Sequence, residues 1–327
     1  MAQGNDGAAS VMTLPQKLYV LGHPVGHSKS PVMYNAAYEA LGLPWEYGLM
    51  DCADDRCAQE FFDERDFLSI NVTTPFKPLA LATATTCSPS ARLAEGANVL
   101  INGARVGASD GLTAFNTDGI GCVGFLQRCG VDFPRASVVI CGTGPTSRAI
   151  LHAVISAGAA KTTLLGRDML RTRATVQAYA DQLVAIAKSP LDAESLEARK
   201  TLDSMANHVV QAGNYEKADG IIASATVIID ATSLGMLEGD PAPFDTALLR
   251  QNQVVFDTVY GHGETALLAA ARHLGCRAYD GAGMLVGQAV ATVELLCTAA
   301  GVNLTASYDE LFDIMAKAGF GSELHYN

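Results

Sequence analysis

The chain has 327 residues and a formal net charge of −12, with 49% hydrophobic and 17% charged residues. This composition excludes a disordered or coiled-coil protein and leaves room for two domains of ordinary size. The acidic balance disfavours nucleic acid and anionic membranes as partners, because both would be repelled.

Eight cysteines are spread along the chain without a CxxC pair, so their spacing predicts neither a zinc site nor a small disulfide scaffold. Their apolar surroundings are typical of buried thiols in a reducing cytosol. The first 14 or so residues are small and polar, which predicts a tail without the features of a signal peptide. We find no apolar run of membrane-spanning length and therefore expect a cytoplasmic protein.

The first third of the chain alternates strand-like apolar runs with helical patterns. Strands are predicted at 17–21, 45–50, 67–72 and 98–101, with helices at 31–41 and around 61–65. Ser30 suits the N-cap of the helix at 31–41, and Pro31 suits its first turn. This alternation predicts an α/β substrate-binding domain over residues 15–118, completed by residues 282–327.

The middle of the chain predicts a second α/β domain, Rossmann-like and doubly wound, over residues 119–281. The pattern favours a helix at 119–130, a buried strand at 136–141, a helix to 157, strands at 161–165, 226–230 and 254–257, and a helix at 266–274. A further helix is predicted at 287–300, within the segment that completes the first domain. Residues 183–220 are charged and mostly helical in composition, which predicts an insertion on the surface of the sheet.

A glycine-rich loop, Gly142-Thr143-Gly144-Pro145-Thr146-Ser147-Arg148, separates the strand at 136–141 from the next helix. Gly142 permits a tight turn, and Gly144 permits close approach of a pyrophosphate. The helix N-terminus offers free N–H groups to phosphate oxygens. In this strand–loop–helix context the loop predicts dinucleotide binding rather than a plain structural turn.

The end of the following strand bears on the choice between NAD and NADP. A carboxylate there binds the ribose hydroxyl of NAD, whereas arginine accommodates the additional phosphate of NADP. This chain has Asp168 between Arg167 and Arg171, so the pattern favours neither cofactor. The alternative is that all three are solvated loop charges.

Three further segments place hydroxyls, amides, a lysine and an aspartate after apolar runs: His27-Ser28-Lys29-Ser30-Pro31, Asn71-Val72-Thr73 through Lys77, and Asn116-Thr117-Asp118. Such a set is suited to a small polyhydroxylated acid and one proton-transferring pair. Structural interpretations also exist, since the serines and the aspartate could cap helices and the lysine could be a surface charge.

In this order, ahead of the glycine-rich loop, the motifs resemble those of the shikimate dehydrogenase family, which includes quinate/shikimate dehydrogenases. Later segments extend the resemblance over residues 17–301: Ala231-Thr232-Ser233-Leu234-Gly235-Met236, Asp257-Thr258-Val259-Tyr260 and Gly283-Met284-Leu285-Val286-Gly287-Gln288-Ala289. The resemblance implies an NAD(P)-dependent oxidoreductase that interconverts 3-dehydroshikimate and shikimate in aromatic amino acid (chorismate) biosynthesis. Alternatives are an NAD-preferring quinate/shikimate dehydrogenase and a non-catalytic sensor of these ligands.

The resemblance also implies residue roles. Lys77 and Asp118 are the expected catalytic pair, without a metal ion. The expected substrate-binding residues are Ser28, Ser30, Asn71, Thr73, Asn98, Tyr260 and Gln288. The residues expected to bind NADP or NAD are Gly142, Gly144, Thr146, Ser147, Arg148, Arg167, Asp168, Arg171, Thr232, Gly235, Met236 and Gly281. We expect a small-molecule substrate and a monomer or homodimer.

The chain departs from the family pattern at several of these positions. Asp230 stands where asparagine usually precedes Ala-Thr, and Tyr34 stands where histidine usually precedes asparagine. Gly166 and Asp168 replace the asparagine and threonine expected of strictly NADP-dependent members. The nucleotide preference therefore stays open, because an added carboxylate would repel a phosphate.

Overall fold

The computed structural model of the chain describes residues 14–108, 110–189, 193–206, 209–321 and 324. Within them the chain divides into two compact units. Unit 1 comprises the described residues up to Thr117 and from Val286 onward, and unit 2 comprises Asp118–Leu285. Both units have the α/β architecture that the sequence predicts. The expected N-terminal tail lies outside the described residues, apart from Leu14.

Unit 1 contains a six-stranded mixed sheet. Its strands are β1 (Gln16–Gly22), β2 (Trp45–Asp51), β3 (Ser69–Val72), β4 (Thr86–Cys87), β5 (Val99–Asn102) and β6 (Leu112–Phe115), in the order β2-β1-β3-β5-β6-β4. The helices among them are α1 (Ser30–Ala40), α2 (Asp55–Glu64), α3 (Lys77–Thr83) and α4 (Pro89–Ala94). Strands β1, β2 and β3 are parallel, whereas β5 is antiparallel to both β3 and β6. The sequence patterns did not reveal the short elements β4, β6, α3 and α4.

Helix α1 begins differently from the prediction. Ser30 is its first residue rather than its N-cap, and Lys29 occupies the N-cap without a side-chain capping bond. The Oγ atom of Ser28 instead accepts a hydrogen bond from the N–H of Ser30, at 3.2 Å. Pro31 lies in the first turn as expected. Backbone N–H groups there make no hydrogen bond within the helix, so proline, which has none, is tolerated.

Unit 2 contains a six-stranded sheet in which all the pairings are parallel. Its elements are α5 (Asp118–Arg128), β7 (Ser137–Cys141), α6 (Pro145–Ser156), β8 (Lys161–Gly166), α7 (Met169–Ala187), α8 (Ala193–Ala206), β9 (Val209–Asn214), α9 (Asp219–Ser224), β10 (Val227–Asp230), β11 (Val254–Asp257), α10 (Ala266–His273) and β12 (Arg277–Tyr279), and the strand order is β12-β11-β10-β7-β8-β9. Strands β10 and β11 are buried along their whole length, as expected for parallel strands covered on both faces.

The prediction of a surface insertion at 183–220 is wrong for part of that segment. Helix α7 continues to Ala187 and α8 follows, but Val209–Asn214 forms β9, which pairs in parallel with β8 at the edge of the sheet. An edge strand has a neighbour on one side only, and β9 is largely exposed or half-buried. It therefore lacks the continuous apolar run that revealed the central strands.

Helix α11 (Ala282–Ala299) is followed by α12 (Tyr308–Phe320). Among the described residues α11 is the one helix long and apolar enough to cross a membrane, so the expectation that no run reaches this length is wrong. However, 72% of it is buried inside the protein, which is typical of a core helix. Helix α12 was not predicted, and a capping box between Ser307 and Glu310 defines its start.

Two aspartates lie side by side at the ends of β10 and β11 in unit 2. Asp230 and Asp257 are paired in the register of the two strands, and each is 1% exposed. Asp257 accepts hydrogen bonds from the N–H of Val259 and the hydroxyl of Thr265, at 3.0 and 2.7 Å. Asp230 accepts one from the N–H of Thr232 at 2.9 Å, but its Oδ2 is buried with no hydrogen-bond partner among the described residues.

Burial raises the pKa of Asp230 to about 7, and the neighbouring charge of Asp257 adds to the effect. A protonated Oδ2 avoids a second buried negative charge beside Asp257. Asp230 therefore resembles the asparagine that is usual at this position, since both then present one acceptor oxygen and one donor.

We expect Asp230→Asn to stabilise unit 2 more at pH 8 than at pH 5. Between the unfolded carboxyl pKa and about 7, the folded chain keeps a proton that the unfolded chain has lost. Stability therefore falls as the pH rises through this window, by an amount on the order of 3 kcal/mol. Urea unfolding at both pH values measures the difference.

The matched control is Asp181→Asn, the same change at an exposed carboxylate on α7 that accepts from Gln177. It should alter stability little and equally at both pH values. An equal gain from Asp230→Asn at pH 5 and pH 8 would contradict the protonated carboxyl.

Candidate functional site

The carboxyl ends of the parallel strands β1, β2 and β3 in unit 1 gather the first set of candidate residues. The serine loop, residues 23–29, follows β1 and leads into α1 at Ser30. Thr73 follows β3, and its N–H donates to the carbonyl of Leu21 at 2.8 Å. A Cβ on Gly22 would collide with the side chain of Thr73, so glycine is needed where the two loops approach. Ser28, Ser30 and Thr73 are thus brought to one edge of the sheet.

Asp51, the last residue of β2, holds the serine loop. Its Oδ1 lies 2.6 Å from Nδ1 of His23, and its Oδ2 accepts from the N–H of Val25 at 3.4 Å. The hydrogen bond with His23 keeps the pKa of Asp51 below its ordinary value. Ser28 is half-buried and Ser30 is buried. Both serines therefore lie at the N-terminus of α1, where a bound carboxylate is favoured by the helix dipole.

A buried network of amides and hydroxyls orients the first of the candidate ring-binding residues. The hydroxyl of Tyr47 donates to Oδ1 of Asn71 at 2.8 Å, and Nδ2 of Asn71 donates to Oγ1 of Thr292 at 3.4 Å. The ring of Tyr34 stacks on that of Tyr47, with centroids 4.2 Å apart and planes 1° apart. Tyr34, one of the departures from the family pattern, therefore helps to hold the hydroxyl that orients Asn71.

The same network continues to the other two amide residues. Oδ1 of Asn98 accepts from the N–H of Thr117 at 2.8 Å, and its Nδ2 donates to Oε1 of Gln288 at 3.4 Å. The hydroxyls of Thr117 and Thr292 lie 3.2 Å apart and join the two halves. Asn71, Asn98 and Gln288 are therefore held together in unit 1, each at most 8% exposed.

Sequence reasoning did not assign a role to Tyr47, Thr117 or Thr292. Two signals were present in the sequence. Thr117 lies inside the Asn116-Thr117-Asp118 motif, and Thr292 is four residues after Gln288 on α11, which places both on one helix face. The contact of Tyr47 with Asn71 could not be deduced, because it depends on the order of the strands, with β1 lying between β2 and β3.

The two candidate catalytic residues belong to different units. Lys77 is the first residue of α3 in unit 1 and is half-buried. Asp118 is the first residue of α5 in unit 2 and is 5% exposed. Its Oδ2 accepts from the hydroxyl of Thr146 at 3.3 Å. This contact places one candidate catalytic residue beside the glycine-rich loop.

The glycine-rich loop has the geometry of a phosphate cradle. Gly142 has φ of +108°, a conformation that favours glycine, and a Cβ there would lie 2.6 Å from Oγ of Ser147. Gly144 is the N-cap of α6, and a Cβ there would meet nothing within 4 Å. The loop backbone is therefore open beside a helix N-terminus whose N–H groups suit phosphate oxygens, and these residues fit a dinucleotide.

The polar side chains that follow Gly144 brace this loop. Ser147 is fully buried, and its hydroxyl donates to the carbonyl of Ala231 at 3.2 Å. The Nε atom of Arg148 donates to the carbonyl of Thr143 at 3.4 Å. Of the residues assigned to the pyrophosphate, Ser147 therefore shapes the loop from beneath, while Thr146 is half-buried beside Asp118.

Asp168 has a structural role at the start of α7. It is the N-cap, and its Oδ1 accepts from the N–H of Arg171 at 3.0 Å. Arg167, Asp168 and Arg171 are all exposed at the end of β8. A Cβ on Gly166 would collide with Oγ1 of Thr172, which explains glycine in place of the family's asparagine.

The remaining candidates follow β10, β11 and β12. The Oδ1 atom of Asp230 accepts a hydrogen bond from the N–H of Thr232, whose own hydroxyl accepts from the N–H of Leu234 at 3.2 Å. The carbonyl oxygen of Thr258 lies so close to Gly281 that a Cβ atom at this position would collide with it. Candidates in this part of unit 2 are Thr232, Gly235, Met236, Tyr260 and Gly281, of which Met236 is 41% exposed.

Comparison with known proteins gives the family. The family described as "Shikimate dehydrogenase substrate binding domain" matches residues 20–100, which lie in unit 1. The "Shikimate dehydrogenase (NADP(+))" of Symbiobacterium thermophilum is 35% identical over 83% of this chain and 85% of its own length. The protein of the same description from Methanothrix thermoacetophila is 31% identical, covering 92% and 96% of the two chains.

The fold agrees with this similarity. The crystal structure of shikimate dehydrogenase from Aquifex aeolicus superimposes with a TM-score of 0.72 at 24% identity, covering 93% of this chain and 98% of its own. The predicted fold class and the resemblance of the motifs are both confirmed. The chain belongs to the shikimate dehydrogenase family of NAD(P)-dependent oxidoreductases.

Proposed function

We propose that the protein catalyses the reversible NAD(P)-dependent reduction of 3-dehydroshikimate to shikimate, a step of aromatic amino acid (chorismate) biosynthesis. The observation that carries this proposal is the buried network that orients Asn71, Asn98 and Gln288 together in unit 1. Amides with fixed orientation suit a ligand with several ring hydroxyls, because each can donate and accept at a defined position. The named relatives act on the same compound class.

The substrate carboxylate is assigned to the N-terminus of α1. Ser28 and Ser30 provide hydroxyls there, and the helix dipole favours an anion. Thr73, beside Gly22, is assigned with the amides to the ring hydroxyls, and Tyr260 is also assigned to the substrate. Local donors of this kind are required because the net charge of −12 otherwise repels an anionic substrate.

Lys77 and Asp118 are assigned to proton transfer. Negative charge grows on the ketone oxygen during reduction, and the ammonium group of Lys77 stabilises it and donates a proton. Asp118 is assigned as the second member of this catalytic pair. Its contact with Thr146 places it beside the cofactor loop.

The cofactor is assigned to unit 2. Gly142, Gly144 and Thr146 would hold the pyrophosphate at the N-terminus of α6, and Ser147 and Arg148 would keep the loop in shape. Thr232, Gly235, Met236 and Gly281 would face the nicotinamide end. The bound nicotinamide supplies the hydride chemistry of the reaction.

We further propose that the protein uses NADP and also accepts NAD. Arg167 and Arg171 suit the ribose phosphate of NADP, whereas Asp168 between them opposes it by charge. Asp168 also supports the second candidate function, an NAD-preferring quinate/shikimate dehydrogenase. We assign the enzyme to the cytoplasm, as a monomer or homodimer without nucleic acid or membrane partners; the eight free cysteines suit a reducing compartment.

Initial rates with shikimate and quinate, each against NADP⁺ and NAD⁺, test the proposed reaction. We expect kcat/KM to be at least about tenfold higher for shikimate than for quinate, a difference of about 1.4 kcal/mol in transition-state binding. A preference for quinate with NAD⁺ would support the second candidate. Tight shikimate binding without oxidation by either nucleotide would instead indicate a sensor.

Lys77→Ala tests the catalytic pair. We expect kcat to fall about 100-fold or more, because general acid catalysis contributes about 10²–10⁴-fold, while the KM for shikimate changes less. The matched control is Lys17→Ala, which removes an exposed lysine of the same unit that pairs with Asp66. It should leave kcat unchanged, and a wild-type kcat in Lys77→Ala would remove Lys77 from the mechanism.

Asp168→Ser tests the nucleotide choice without removing the helix cap, because serine is itself a good N-cap residue. We expect the ratio of kcat/KM for NADP⁺ to that for NAD⁺ to rise several-fold, since the charge that repels the ribose phosphate is gone. Asp181→Ser, the same change further along α7, controls for overall charge. An unchanged ratio in Asp168→Ser would place Asp168 outside the nucleotide site.

A further inference from the structure

Two thiols of unit 1 lie in direct contact outside the proposed site. The Sγ atom of Cys57 donates a hydrogen bond to Sγ of Cys52, and the two sulfur atoms are 2.7 Å apart. That distance is within an ångström of the covalent S–S length of about 2.05 Å. Both cysteines are free thiols. The C-x4-C spacing gave no indication of a pair, so this contact is a product of the fold.

The two thiols of the pair differ in access. Cys52 is buried in the hydrophobic core of unit 1, whereas Cys57 packs against the edge of that core and is partly exposed in the first turn of α2. Burial, together with the hydrogen bond from Cys57, raises the pKa of the Cys52 thiol to about 12. Because Cys57 is the exposed member of the pair, an oxidant from solvent reaches it first. The buried Cys52 is the second thiol, which reacts with Cys57 in the next step.

The thiol pair is directly connected to the residue that holds the serine loop. Cys52 follows Asp51, and the N–H of Cys52 donates to the carbonyl of Gly22 at 3.2 Å. Asp51 in turn binds His23 and the N–H of Val25. A movement of the Cys52 backbone therefore disturbs both the hydrogen bond to Gly22 and the contacts that Asp51 makes with the start of the serine loop.

We propose that Cys52 and Cys57 form a reversible intramolecular disulfide when the protein meets a peroxide. Cys57 reduces one peroxide molecule, becoming a sulfenic acid with release of water. The Cys52 sulfur then attacks the Cys57 sulfur, the S–S bond forms, and the sulfenic hydroxyl leaves as a second water with the Cys52 proton. Two thiols are oxidised by two electrons, and hydrogen peroxide is reduced to two water molecules. Two molecules of a small thiol return the pair to its reduced state by exchange, through a mixed disulfide, and leave as their own disulfide.

Formation of the disulfide weakens substrate binding, an effect that rests on the proposed function. The bond draws Cys52 toward α2 and disturbs the adjoining Asp51, so that the serine loop loses hydrogen bonds that position Ser28 and Ser30. We expect the KM for shikimate to rise about fivefold, the scale of one hydrogen bond of ordinary strength, while kcat changes less.

Peptide mapping after treatment with hydrogen peroxide and blocking of the remaining thiols tests the disulfide itself. Arg56 lies between the two cysteines, so trypsin separates residues 30–56 from residues 57–65. A disulfide keeps these two peptides together as one species that dithiothreitol splits. We expect this species in wild type, its loss in Cys57→Ser, and its persistence in Cys87→Ser, which changes another half-buried thiol of unit 1.

Separate blocked peptides in peroxide-treated wild type would overturn the proposal, as would persistence of the linked species in Cys57→Ser. Kinetics then test the effect on binding: the rise in KM should be reversed by dithiothreitol and absent from Cys57→Ser. A linked species with an unchanged KM would overturn the connection to the serine loop. The peptide result does not depend on activity, so failure of the reduced enzyme to oxidise shikimate would count against the proposed function alone.

Discussion

Burial of parallel strands on both faces is the constraint on which this molecule depends. A strand covered on both sides has room for apolar side chains along its length, and polar chemistry is displaced to its ends. In unit 1 the strand β3 is buried along its whole length and is followed by Thr73. The serine loop and Asp51 lie at the same ends of its parallel neighbours β1 and β2, which are partly exposed. In unit 2 the end of β7 carries the glycine-rich loop. Both sets of candidate residues therefore lie at strand ends for the same physical reason.

Burial of polar groups near these strand ends is unfavourable, and the two units compensate for it in different ways. In unit 1 the amides of Asn71 and Asn98 are paired with the hydroxyls of Tyr47, Thr117 and Thr292. In unit 2 the Oδ2 atom of Asp230 has no such partner among the described residues, and burial raises the pKa of this carboxyl group, so that it stays neutral below about pH 7. Paired amides keep a defined orientation for a ligand, whereas the aspartate is sensitive to pH.

Several residues combine a structural and a proposed functional role, which is why the alternatives at single positions were hard to separate. Asp168 caps α7 and also stands where the nucleotide choice is expected to be made. The hydroxyl of Ser28 accepts a hydrogen bond from the N–H of Ser30, and Ser28 also lies where the substrate carboxylate is expected. Since a free helix N-terminus binds either a side-chain oxygen or an external anion, one residue type serves both roles.

The sequence by itself determined the two α/β units, the central strands and the position of the glycine-rich loop, because continuous apolar runs and glycine turns are local signals. Only the tertiary structure decided that 209–214 is an edge strand, that Tyr47 and Thr292 hold Asn71, and that Cys52 lies against Cys57. These contacts join residues through strand pairing and helix packing. Their geometry depends on the whole fold, so no local pattern of residues records it.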